Sequence, residues 1–490
     1  MRKSGILMHL TSLPDPYGIG SMGKCAYDFI DFLRSAGQSC WQILPLSPTG
    51  YGDSPYQSLS TFAGNPYLID LELLARDGLL TREELSDLER PEAQGRVDFG
   101  TLYQSRPAIL RRAFSRFRPD ADFRHFCSEN QDWLPDYSLF MAVKERQGGM
   151  EWLSWPRGIR TRAPEAMAEL RTLLDTDIQF HAFLQYTFFR QWDALHRYAA
   201  QQGIRIIGDV PIYVPLDSAD VWSAPEEFQL SADLQPTAVA GCPPDAFTAD
   251  GQLWGNPLYD WAYMRQNGYR WWLRRLRAAS KLYDVVRLDH FRGFESYWSV
   301  PAEAQTAAQG HWEPGPGLDL IRAIQTALPD LRCIAEDLGY ITPQVRALQE
   351  ASGYPGMKVM EFAFDSRENG DYLPHLYPTN SVCYSGTHDN PPLGQWLKEA
   401  APEDLAAARA YLGLNPQEGE IPGLIRGCMS SISSLCMIQM QDYLGLEEDA
   451  RMNTPGMLSC QNWSWRAAPG CFTPQLARQI REITLRYGRL

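Results

Sequence analysis

Several features are scarce or missing in this 490-residue chain, and each absence excludes something. No stretch approaches the ~18 consecutive apolar residues of a membrane-spanning helix, so no such span is expected. The apolar run Gly5 to Leu10, behind Arg2 and Lys3, is too short for a secretion signal, and no small-residue cleavage site follows it. No Cys-x-x-Cys pair occurs, and the ten cysteines are scattered without even spacing. That pattern predicts reduced thiols in a cytoplasmic protein, buried as small hydrophobes, and not a disulfide framework. Positive charge is also short: 45 Lys and Arg against 59 Asp and Glu leave a net charge of −14. Nucleic-acid binding needs a basic footprint and is excluded on that ground. The eight histidines show no metal-ligand spacing with the cysteines, so neither a metal nor an organic cofactor is expected.

What is abundant is aromatic surface. Fifteen Trp and 23 Tyr suit surfaces that stack on flat rings or sugar faces, with a Trp-rich core as the alternative, and a 44% hydrophobic content is ample for a core. The length allows two or more domains, or one large barrel with insertions. The chain opens strand, helix, strand: Gly5 to Leu10, then Lys24 to Ala36 with Tyr27, Phe29, Ile30 and Leu33 on one side, then Ser39 to Leu46. This is the start of an α/β protein. Gly18-Ile-Gly-Ser-Met-Gly23 matches a dinucleotide fingerprint in letters only. Pro14 and Pro16 separate it from the strand, and no acidic residue ends a second strand about 20 residues later. It reads as a loop.

Apolar runs that break into charge recur along the chain. Asp284-Val-Val-Arg-Leu-Asp-His-Phe-Arg-Gly293 begins as a buried strand and ends in Arg287, Asp289, His290 and Arg292. Ile204 to Val214 carries Asp209, Leu331 to Gly339 ends in Glu336 and Asp337, Lys358 to Phe364 meets Asp365, and Ser381 to Asn390 ends in His388 and Asp389. Strand candidates near residues 5, 41, 205, 285, 332, 358, 382 and 450, most of them separated by helical segments, predict a (β/α)8 TIM barrel. Two insertions interrupt it within a single catalytic unit spanning 1–490. One, over 51–200, is mainly helical; within it Phe180, Phe183, Leu184, Phe188, Trp192 and Leu195 form a core stripe. The other, over 215–267, reads as irregular, and its loop Gly241 to Pro257 carries Gln252 and Trp254 and suits a lid. The loop Gly50 to Ser58, with Tyr51, Asp53, Ser54, Tyr56 and Gln57, follows a strand, where a barrel places ligand contacts.

In such a barrel Asp289, Glu336 and Asp389 share one pocket although they are far apart in sequence. Glycoside chemistry needs one ionised and one protonated carboxyl. Arg287, two residues before Asp289, favours its charged form, and a third acid nearby helps keep Glu336 protonated. The alternative for each acid is a salt bridge capping a strand.

Several motifs resemble those of the amylomaltases, the 4-α-glucanotransferases or disproportionating enzymes of glycoside hydrolase family 77. They are Tyr51-Gly-Asp-Ser-Pro-Tyr-Gln57, Gly208-Asp-Val-Pro-Ile-Tyr213, Gly251-Gln-Leu-Trp-Gly-Asn-Pro257, Arg287-Leu-Asp-His-Phe-Arg-Gly293, Ala335-Glu-Asp-Leu-Gly339, Thr387-His-Asp-Asn390 and Asn462-Trp-Ser-Trp-Arg466. The resemblance runs from Ser12 to Trp465 in unbroken order. It implies an α-amylase-type barrel with no separate C-terminal β-domain, acting on α-1,4-glucans and maltooligosaccharides. It implies Asp289 as nucleophile, Glu336 as general acid/base and Asp389 as transition-state stabiliser. Arg287, His388 and Asp209 would support them. Ser54, Tyr56, Gln252, Trp254, Asp365 and Asn462 would meet sugar in the groove, and Tyr51 would belong to a glucan contact outside it. A retaining double displacement would place the carboxyls of Asp289 and Glu336 about 5–5.5 Å apart. The competing expectations are a hydrolase on the same barrel and a non-catalytic glucan-binding protein.

Overall fold

The computed structural model describes residues 2–89, 95–244, 250–339, 341–366 and 372–490. Its strands, in chain order, are β1 (Lys3–Leu7), β2 (Cys40–Gln42), β3 (Arg205–Val210), β4 (Ala238–Cys242), β5 (Gln252–Pro257), β6 (Val285–Leu288), β7 (Ser296–Pro301), β8 (His311–Pro314), β9 (Cys333–Ala335), β10 (Gly356–Val359), β11 (Ser381–Tyr384) and β12 (Leu435–Gln439). Eight of them close into a barrel in the order β1-β2-β3-β6-β9-β10-β11-β12, and each adjacent pair is parallel. Parallel neighbours need long crossovers, and helices supply them.

Cys40, Ile207, Ile334, Met357, Val359, Val382, Tyr384 and Met437, all buried, pack together from six of the strands. Glycines admit the close approaches. A Cβ on Gly208 would fall 2.2 Å from the Tyr283 ring, and one on Gly5 would fall 2.5 Å from the Cys40 carbonyl. The fingerprint-like glycines serve packing in the same way. A Cβ at Gly23 would collide with the Asp70 carboxylate, which accepts from the Ser21 hydroxyl at 2.8 Å.

The connection from β2 to β3 carries a largely helical run, whose members include Phe99–Arg116, Leu134–Arg146 and Pro164–Leu173. It ends in the 27-residue helix Asp175–Gln201. At 1.5 Å per residue that helix is about 40 Å long, enough to serve two bodies. Its aromatic stripe is core: Phe180 and Phe183 meet Phe114, while Trp192 nears Tyr283 on the barrel side and donates its indole N–H to the Leu282 carbonyl at 3.0 Å.

Two features differ from the sequence reading. The eighth strand is Leu435–Gln439, not a segment near residue 450, where a short 3-10 turn (Glu448–Ala450) and a loop stand. The run Leu-Cys-Met-Ile-Gln follows the helix Glu420–Ser430 after only four residues, and its first acid, Asp442, sits in the short helix Met440–Tyr443 beyond it. The stretch 215–267 is not irregular throughout. β4 and β5 pair antiparallel and are completed by β7 and β8, giving the sheet β5-β4-β7-β8 beside the barrel mouth. Its partners lie across β6 in sequence, so no local pattern announces the pairing. Of the loop expected to act as a lid, residues 245–249 lie outside the described residues.

Candidate active site

Strand register puts the acids together. β3 pairs with β6 so that Asp209 stands opposite Arg287, and β6 pairs with β9 so that Leu288 stands opposite Ala335. Asp289 and Glu336 therefore leave neighbouring strands at one level of the barrel's C-terminal end. Arg287 is buried and reaches both acids beside it: its Nη1 lies 2.6 Å from Asp209 Oδ2 and 2.9 Å from Asp289 Oδ1. A guanidinium is always charged, so it holds the two carboxylates apart and ties one oxygen of Asp289 in place. Asp209 also accepts the Tyr56 hydroxyl at 2.7 Å. Burial, and then the Asp209 charge, push the Tyr56 phenol well above its ordinary value, so it remains a donor.

Glu336 is gripped by backbone. Its Oε2 accepts from the His290 N–H at 2.7 Å and its Oε1 from the Leu338 N–H at 2.8 Å. The first contact depends on a left-handed turn at His290 (φ 47°, ψ 50°), a region His enters more readily than most residues. Burial pushes the Glu336 carboxyl up to about 7; Arg287 opposes this and the Asp289 charge adds to it. The carboxyl is thus poised near neutrality, where an acid that must give and then take a proton works best. Burial lowers His290 to about 4, so that ring is neutral.

Asp389 arrives from beyond β11 on the other side of the mouth. Its Oδ2 lies 3.3 Å from His388 Nε2, and its Oδ1 accepts from the Asn453 amide at 2.6 Å. The His388 ring stacks on Tyr56 with centroids 5.0 Å apart, linking Asp389 to the Asp209–Arg287–Asp289 group through Tyr56. Behind, Asn390 Oδ1 accepts both the backbone N–H and the hydroxyl of Thr387, which fixes the turn.

The remaining candidates spread around this centre. Trp254 on β5 stands edge-on to His290 at 4.9 Å, and its indole N–H donates to Gln252 Oε1 at 3.1 Å. Ser54 caps its own loop, accepting the Tyr56 N–H at 3.2 Å. Asp365 follows the 3-10 turn Met360–Phe364 beyond β10 and is half-buried. Tyr51 stands 90% exposed at a loop tip, apart from the acids. Asn462 spends its side chain on backbone: Oδ1 accepts from the Thr454 N–H at 3.0 Å, and Nδ2 donates to the Met457 carbonyl at 2.8 Å. In this structure it braces the 454–462 loop.

A family model described as 4-alpha-glucanotransferase matches residues 8–471. The chain belongs to that family. Its glucanotransferase relatives match it over nearly their whole length. One from Clostridium butyricum is 45% identical over 98% of this chain and 100% of its own, and one from Thermus thermophilus is 47% identical over 100% and 99%. The solved structure of the amylomaltase from Streptococcus agalactiae in complex with acarbose superposes with a TM-score of 0.97, at 41% identity and full coverage of both chains.

Two residues at this glucanotransferase site escaped sequence reading, Arg451 and Asn453. They sit in a loop after the misplaced eighth strand, and their only local signal is an Asn ahead of a Thr-Pro-Gly turn. Among the described residues, no helix is long and apolar enough to cross a membrane.

Proposed function

We propose that this site moves α-1,4-glucan segments from a donor to the 4-hydroxyl of an acceptor glucan or glucose by a retaining double displacement. Glu336 protonates the glycosidic oxygen while Asp289 attacks the anomeric carbon. The reducing-end fragment leaves, and a β-linked glucosyl ester remains on Asp289. Glu336, now a carboxylate, takes the proton of the acceptor's 4-hydroxyl. That oxygen displaces Asp289, and the α-1,4 bond re-forms. Asp389 faces the sugar from the opposite side and stabilises the positive charge that develops at the anomeric centre, and His388 beside it positions the sugar at the cleavage point. Arg287 and Asp209 hold the nucleophile, while Tyr56, Ser54, Gln252, Trp254, Asp365 and Asn462 belong to the groove or its support. Tyr51 belongs to a glucan contact outside the groove.

One observation carries the reading. Two carboxyls step off adjacent strands into opposite environments, one against a buried guanidinium and the other desolvated and poised near 7. That split supports Asp289 as nucleophile and Glu336 as acid. The natural substrates are maltooligosaccharides and longer α-1,4-glucans, with no part for nucleic acid or membrane, and the natural setting is the cytoplasm. On this account the 51–200 and 215–267 insertions are subdomains that wall the groove of one catalytic unit spanning 1–490. Turnover by Asp289→Asn on maltotriose tests it. The expected loss is about 10⁴-fold or more with the fold intact; turnover within tenfold of the parent would remove Asp289 from the nucleophile's role.

A further inference from the structure

The segment 451–453 grips the Asp389 turn at three points and is tied to itself at a fourth. Arg451 Nη2 donates to the Asp389 carbonyl at 2.7 Å, and Arg451 Nε donates to the Asn453 carbonyl at 2.8 Å. The Asn453 N–H donates to the His388 carbonyl at 3.1 Å, and the Asn453 amide donates to Asp389 Oδ1 at 2.6 Å. The ring closes on itself: Arg451 fixes the backbone of both residues, and Asn453 fixes the carboxylate.

Asp389 needs such a grip. Its side chain is 42% exposed, and its other near partner, His388, lies at a longer 3.3 Å. Packing alone does not select its rotamer. Asn453 is buried. A neutral amide donating to a carboxylate orients it without cancelling its charge, as a cation would tend to do. A carboxylate meant to face positive charge at the sugar should keep its own charge available, and an Asn in this place satisfies that condition where a Lys or Arg side chain would not.

We propose that Asn453, braced by Arg451, is a positioning residue that sets the Asp389 carboxylate for the transition state. The inference rests on the reading of Asp389 as the stabilising carboxylate. It predicts an effect on turnover more than on substrate binding, because a misplacement of about 1 Å in a catalytic group can cost about 100-fold in rate.

The test is a double-mutant cycle on maltotriose turnover with Asn453→Ala, Asp389→Asn and the pair, together with Asn453→Asp. Asn453→Ala should lower kcat 10- to 100-fold and leave KM within threefold. In the Asp389→Asn background the same change should cost less than threefold, because there is no carboxylate left to set. Asn453→Asp, of the same shape but with a second carboxylate facing Asp389, should lose at least as much as Asn453→Ala. An equal cost of Asn453→Ala in both backgrounds, a loss confined to KM, or an Asn453→Asp variant with parental turnover would each overturn the role. If Asn453→Ala fails to fold, the same-shaped Asn453→Asp decides alone. If Asp389→Asn keeps parental turnover, the assignment of Asp389 is what fails, and the positioning role falls with it.

Discussion

Glu336 condenses the chemistry into one side chain. Five influences act on its carboxyl. Burial and the Asp289 charge favour the protonated acid, while Arg287 and two backbone N–H groups favour the anion. The balance leaves it at about 7, above the ordinary value of 4.5. Glycosylation of the enzyme uses the protonated form. kcat/KM for the donor should therefore hold on the acid side of 7 and fall about tenfold per pH unit well above it. Glu336→Gln should remove that limb together with most of the activity. An unchanged alkaline limb in the variant would assign the ionisation to another group. The sign follows from the role: were Glu336 needed as the anion in the first step, the rate would rise through 7.

At the scale of elements, barrel strands deliver these side chains, and their spacing tolerates little change. Gly208 lies between Ile207, which faces the barrel interior, and Asp209, which faces the site, with the Tyr283 ring against its Cα. Gly208→Ala should destabilise the protein by about 1–3 kcal/mol through overpacking, read as a lower melting temperature. A melting temperature equal to the parent's would show that Tyr283 yields at no cost.

Strands of this kind were legible in sequence because each buried run ends in a charge that no core accommodates: Asp209, Asp289, Glu336 and, beyond β11, Asp389. β12 ends at Gln439 and turns at once into the short helix Met440–Tyr443, whose Asp442 is buried and bonded to Ser385 and Leu393, and the reading slid towards residue 450. The sheet of β4, β5, β7 and β8 was illegible for a different reason. Antiparallel pairing between segments about 60 residues apart leaves no periodic trace in either one. Asn453 and Arg451 reach the Asp389 turn by a few hydrogen bonds from a loop, which no spacing rule can anticipate. Asn462 was singled out by its motif, and the structure shows it bracing the 454–462 loop.

For the whole molecule, the question is where the glucosyl group goes. The barrel and its acids can pass it to water or to a sugar, and the outcome depends on how the groove excludes water while an acceptor is bound. On the proposed account, the Gly50–Ser58 loop, the 454–462 loop and strands β4 and β5 would border that groove from different points of the chain. Leu458 of one loop approaches Gly52 of another so closely that a Cβ there would fall 2.9 Å from its Cδ1. On the proposed account, Trp254 and Tyr56 would offer an acceptor sugar a stacking surface that water cannot use.

The most direct test of this account is to incubate the purified protein with maltotriose alone and resolve the products by size. Transfer predicts glucose together with a ladder of chains longer than three units, while the number of reducing ends stays constant. Glucose and maltose alone, with reducing ends rising steadily, would contradict it.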